Sequence, residues 1–77
     1  MSPQLPRLTA KEIISVLEKN GFALARQSGS HKIYINAVGK RVTVPYHTGK
    51  TLHPKLLKSI LNDAGWTVQT LIDLSND

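Results

Sequence analysis

The stretch Phe22-Ala23-Leu24-Ala25-Arg26-Gln27-Ser28-Gly29-Ser30-His31-Lys32-Ile33-Tyr34-Ile35-Asn36-Ala37-Val38-Gly39-Lys40-Arg41-Val42-Thr43-Val44-Pro45 decides the fold. Residues 22–27 alternate weakly, with Phe22, Leu24 and Arg26 on one face. Ser28-Gly29-Ser30 reads as a short turn. Residues 31–36 are rich in β-branched and aromatic side chains and predict a strand. Residues 37–40, with Gly39, form a hairpin loop. Residues 41–44 make a third strand, ended by Pro45, which has no N–H to give to a ladder. Two tight connections between three strands imply an antiparallel meander.

Helices flank this unit. Thr9-Ala10-Lys11-Glu12 fits a capping box, in which the Thr and Glu side chains satisfy each other's free backbone donors. Leu8 and Ile13 stand where a hydrophobic staple falls, and Ile13, Ile14, Val16 and Leu17 recur at helical spacing. Asn20-Gly21 supplies the stop. After a polar loop over residues 46–51, Pro54 suits the first turn of a second helix. Leu56, Leu57, Ile60, Leu61 and Ala64 form its apolar stripe, and Gly65 ends it. Thr67 caps a last short helix through Leu74, within a tail over residues 66–77. Pro3 and Pro6 make residues 1–8 an irregular arm. The expectation is an α+β domain covering residues 1–77, in the order α-β-β-β-α plus a short C-terminal helix. Neither main helix can bury its stripe alone, so both pack on one face of the sheet. The other face, or the rim, is left for a partner.

A chain of 77 residues has room for one small core, burying about 60% of the surface its unfolded form exposes. Without cysteine, disulfides, Cys-based zinc sites and thiol nucleophiles are all absent. No apolar run reaches the roughly 18 residues of a membrane span, and the N-terminus lacks the pattern of a secretory signal. The cytoplasm is the expected compartment. Charge carries more information. Ten Lys and Arg face five Asp and Glu, and all five acids lie at the ends: Glu12, Glu18, Asp63, Asp73 and Asp77. Between them stand eight basic residues, Lys19, Arg26, Lys32, Lys40, Arg41, Lys50, Lys55 and Lys58, and all three histidines. An acid-free basic centre is the footprint of a polyanion partner, and nucleic acid fits it better than a membrane surface or simple solubility.

The chemistry on offer is narrow. His31, His47 and His53 are 16 and 6 residues apart, matching no helical metal pair. Ser28 and Ser30 flank His31's turn, but no acid is near in sequence to orient the imidazole for a hydrolase triad. What remains is a histidine in a basic field. Histidine titrates near neutral pH and can give or take a proton. RNA is the matching substrate, because its 2′-hydroxyl is a built-in nucleophile that needs neither metal nor cofactor. On spacing alone His31, sharing parity with Ile33 and Ile35, reads more readily as a core-rim residue than as a catalytic one. Gly29 reads as a turn residue with positive φ, His53 as a helix cap, His47 as a solvated loop residue, and Trp66 as a core seal. Tyr34 shares parity with Lys32 and is either a stacking surface or the outer aromatic of its strand. Arg26, Lys32, Lys40 and Arg41 come near one another if the strands pair as drawn, and are the leading phosphate contacts; Lys50 in the following loop joins them.

In combination, Gly21-Phe22, Arg26-Gln27-Ser28-Gly29-Ser30-His31, Tyr34, Val42-Thr43-Val44-Pro45-x-His47 and Leu57-Lys58-Ser59-Ile60-Leu61-x-x-Ala64-Gly65 resemble the HicA-type (YcfA-like) toxin family. These are small mRNA interferases of toxin–antitoxin pairs, and the likeness runs from about Ile13 to Gly65. It implies a double-stranded-RNA-binding-domain-like fold and a catalytic His31, whose geometry Gly29 and Ser30 would set. It also implies mRNA as substrate and a HicB-type antitoxin that blocks the active site. His47 is the candidate second proton-transfer group. The segment His53-Pro54-Lys55-Leu56 departs from the Gly-Thr-Leu-like helix entry of many relatives. The alternative function is a non-catalytic RNA-binding module of the same fold.

Overall fold

Thr9 opens the first helix (α1, Ala10–Lys19) through a complete capping box. Its Oγ1 accepts the Glu12 N–H at 3.2 Å, and Glu12 Oε1 accepts the Thr9 N–H at 2.9 Å. The Thr9 backbone N–H, and after it the Thr9 side chain, hold the Glu12 carboxyl below its ordinary value of 4.5 by hydrogen bonding to it. In this computed structural model, which describes residues 4–76, α1 is followed by three strands, β1 (Ala23–Ser28), β2 (His31–Ile35) and β3 (Arg41–Pro45). Helices α2 (Pro54–Ala64) and α3 (Val68–Ser75) complete the order. The His53 imidazole caps α2 by accepting the Lys55 N–H on Nδ1 at 3.1 Å. Pro54 lies in its first turn, and Gly65 ends it in the left-handed conformation at φ 78°. Thr67 caps α3 by accepting the Thr70 N–H.

The sheet is the expected antiparallel meander in the order β1-β2-β3. Element ends shift slightly. The first turn is the two residues Gly29-Ser30, because Ser28 pairs with His31. Asn36 leaves the second strand to close the next loop, where its Oδ1 accepts the Lys40 N–H at 2.8 Å and its carbonyl accepts the Gly39 N–H at 3.0 Å. The tail helix runs one residue past Leu74, and Pro3 of the expected arm lies outside the described residues. Leu5 and Leu8 of the arm pack against the core. Leu8 O accepts the Leu52 N–H at 2.7 Å, and Thr9 forms a bridge with Thr51.

Two expectations about faces are corrected. Directly paired residues share a face of an antiparallel sheet. Tyr34 pairs with Val42, and Lys32 with Val44; Val42, Val44 and Tyr34 are buried. Tyr34 is therefore a core residue and not an outer aromatic. The opposite parity, His31, Ile33 and Ile35, lies on the open face, so His31 is not at the core rim. The second correction concerns β1. Its register slips between Leu24 and Arg26, a bulge that leaves Ala25 unpaired and breaks the alternation. Leu24 thus pairs with Tyr34 on the helix-facing side, while Arg26 pairs with Ile33 on the open side.

A single core holds Ile13 and Leu17 of α1, Leu57, Ile60 and Leu61 of α2, Leu71 of α3, and Tyr34, Val42 and Val44 of the sheet. Both main helices therefore cover one sheet face, and the arrangement is double-stranded-RNA-binding-domain-like. Trp66 seals one end, edge-on to Phe22 at 5.8 Å and 88°. No described helix is long and apolar enough to cross a membrane. Leu71 is fully buried, which makes the tail helix part of the core. Leu71→Ala is expected to lower unfolding free energy by about 2–5 kcal/mol in urea titration. The exposed Asp73→Ala should change it by less than about 0.5 kcal/mol.

Candidate functional site

The site is built on the tightest turn of the sheet. Ser28 and His31 pair across a two-residue connection whose first residue, Gly29, has φ 59°, and among the described residues no non-glycine has positive φ. A positive φ at the first central position only is the type II′ pattern, whose twist matches that of the flanking strands. A Cβ on Gly29 would meet nothing within 4 Å, so the glycine is required by backbone conformation and not by space. Two further bonds hold the turn. Gln27 Nε2 donates to Gly29 O at 3.1 Å, and the Tyr46 N–H donates to Ser30 O at 2.7 Å. The second bond ties the end of β3 to the start of β2.

His31 is the first residue beyond this turn. It is exposed and flanked on its face by Ser28 and Pro45, its partners on either side. Arg26, opposite Ile33, is its diagonal neighbour on the same face, about 7–8 Å away between Cα atoms and within reach of a long side chain. His47 follows Tyr46 on the loop leaving the same end of the sheet and is also exposed.

The structure does not gather the other basic residues around His31. Lys32 points to the opposite face by alternation. It is half-buried, with Nζ 4.2 Å from the centroid of the Tyr46 ring. Arg41 is on the open face but pairs with Ile35, four residues along β2 and so about 13 Å from His31. Lys40 runs toward Gly65, where a Cβ would lie 3.0 Å from its Cε and 3.1 Å from its Nζ. That placement sets its ammonium by the C-terminal end of α2, where the helix dipole favours a positive charge. Lys50 is exposed in the loop before Thr51. Gly29 and Ser30 are in the turn itself.

Sequence reasoning missed Gln27 and Tyr46. The signal for Tyr46 was available: pairing His31 with Pro45 sets residue 46 beside residue 30. Tyr34, behind the sheet, has its phenol raised above the ordinary value of 10.0, chiefly by burial and further by the charge of Glu18 and by Tyr46. It stays neutral at neutral pH and has no part on the His31 face. Among the described residues no group of three His, Cys, Asp or Glu side chains could hold a metal ion.

The fold and the site define a small basic α+β domain with one open sheet face and a turn-borne histidine. A family model described as HicA toxin of bacterial toxin-antitoxin matches residues 10–66, and the chain belongs to that family. A search of curated proteins finds no match.

The turn gives a direct test. An L-residue at φ 59° is strained by about 1–2 kcal/mol. Gly29→Ala should lower the melting temperature by roughly 4–8 °C for each kcal/mol lost, measured by thermal denaturation.

Proposed function

We propose that this toxin is an endoribonuclease that cuts mRNA and so stops translation, with His31 as its catalytic general acid or base. The observation that carries the reading is an exposed histidine fixed beside a rigid turn, on the same open face as Arg26, in a sheet without an acidic residue. Arg26 is the first candidate for the scissile phosphate. Arg41 extends the basic face toward the far end of the sheet, and Lys50 offers charge from the loop.

In the proposed step the 2′-oxygen attacks phosphorus and the bond to the 5′-oxygen breaks. One proton leaves the 2′-hydroxyl and one reaches the departing 5′-oxygen. His31 moves one of them, and His47 is the candidate for the other. The products are a 2′,3′-cyclic phosphate and a 5′-hydroxyl. The nucleophile belongs to the substrate, so the scheme calls for no bound cofactor. Lys32, clasped to Tyr46 on the other face, supports the strand end and is assigned no direct phosphate contact. Membership of a toxin–antitoxin family implies an antitoxin, which in the proposed scheme is of the HicB type and covers the His31 face. An mRNA substrate places the activity in the cytoplasm.

Purified protein incubated with a defined transcript should leave 2′,3′-cyclic phosphate ends. His31→Ala should lower the rate by about 10²–10⁴-fold, the usual contribution of a proton-transfer group, while still binding RNA. Recovery of 3′-hydroxyl ends would contradict the chemistry. Equal binding by both proteins with cleavage by neither would reduce the protein to an RNA-binding module. Arg26→Ala should weaken RNA binding and flatten the dependence of log affinity on log salt by about 0.7, the share of one phosphate contact on a single strand.

A further inference from the structure

The sheet has an edge that the chain itself leaves open. β1 is the first strand of the order β1-β2-β3, and all six of its residues are exposed. Among the described residues β3, at the other edge, also makes no backbone hydrogen bond outside its ladder with β2, but it lies against α2 and α1 and buries Val42 and Val44, whereas β1 buries none of its residues. Among the described residues, no backbone hydrogen bond outside the β1–β2 ladder is made by Ala23–Ser28. The strand therefore presents unpaired N–H and C=O groups to solvent along its outer side, the template on which another strand adds. Beside that edge, on the helix-facing side, Leu24 is 47% exposed, an apolar contact for a side chain of the added strand. On the other side stands Arg26.

We infer that β1 is the docking edge for the antitoxin, which adds an extended acidic segment as a fourth strand beside Ala23–Ser28. Charge selects this occupant. From Lys19 to Asn62 the chain has no acidic residue, so on the open face a strand carrying Asp or Glu meets Arg26 and no acid of the sheet. Glu18, whose charge reaches Tyr34 opposite Leu24, bears on the helix-facing side only. A second copy of this chain would instead set two acid-free sheets edge to edge, each bringing the Arg26 of its β1 to the seam, and like charges repel. A strand added there lies two strand spacings from β2, about 10 Å. Its acidic side chains on the open face would neutralise Arg26, the diagonal neighbour of His31. Edge addition thus ties antitoxin binding to the basic face.

The inference rests on family membership, which supplies an antitoxin, and not on the proposed cleavage. Its test reads binding alone, so either idea can fail without the other. The toxin is co-expressed with its antitoxin, and amide hydrogen exchange is compared between the complex and the free chain. In the complex, amides of Ala23–Ser28 should exchange at least about tenfold more slowly. Leu24→Asp, at an exposed position, should weaken the complex by about tenfold or more. Val38→Asp, at the 78% exposed tip of the next hairpin, should leave affinity unchanged. Unchanged exchange in β1, with protection only elsewhere, would overturn the inference. So would β1 protection that rises with the concentration of the free chain, which would show a second copy on the edge, or protection given by RNA and not by antitoxin.

Discussion

The left-handed backbone at Gly29 is the constraint on which the rest depends. Because φ is 59° there, two residues suffice to reverse the chain, and Ser28 meets His31 directly. That pairing fixes the register of β1 on β2. The Tyr46 N–H bond to Ser30 O then locks the end of β3 to the same turn. A three-residue turn would shift the register and, because side chains alternate with period two, would move residues to the opposite face. The exposure of His31 thus follows from backbone geometry two residues before it in the chain.

The same alternation divides the basic residues between two tasks. His31 and Lys32 are neighbours in sequence and must point to opposite faces. Lys32 stacks on Tyr46, and Lys40 lies by the end of α2, so neither ammonium is placed beside His31. The bulge at Ala25 has the opposite effect on Arg26, turning it from the face of Leu24 to the face of His31. A one-residue irregularity thus brings together the histidine and the cation of the proposed chemistry.

Much of this was legible in the sequence, and the failures have a common origin. Helix boundaries were readable because their causes are local: Thr9 with Glu12, His53 with Pro54, and Gly65 at a left-handed cap. The face of β2 was not readable from β2 alone, since Ile33 and Ile35 occupy one parity and Tyr34 the other. The neighbouring β3 resolves it, because Val42 and Val44 are its buried pair and the register sets Tyr34 opposite Val42. Which face is the core is therefore a property of pairing and not of one strand. The grouping of Arg26, Lys32, Lys40 and Arg41 failed for the same reason, since nearness in a meander depends on parity and register together. Ala25 gave no sign of its bulge. His31 became the catalytic candidate through the family resemblance, whereas spacing alone pointed to the core.

In the proposed function RNA lies on the open sheet face at the Gly29 turn. Nuclear magnetic resonance with a 2′-O-methyl RNA, whose nucleophile is capped and cannot attack, tests it most directly. The largest amide shifts are expected from Arg26 through Ile33 and at His47, with small ones near Gly65 and in α3. Shifts centred on Lys40 and Gly65, or on the entry to α2 around His53, would contradict it.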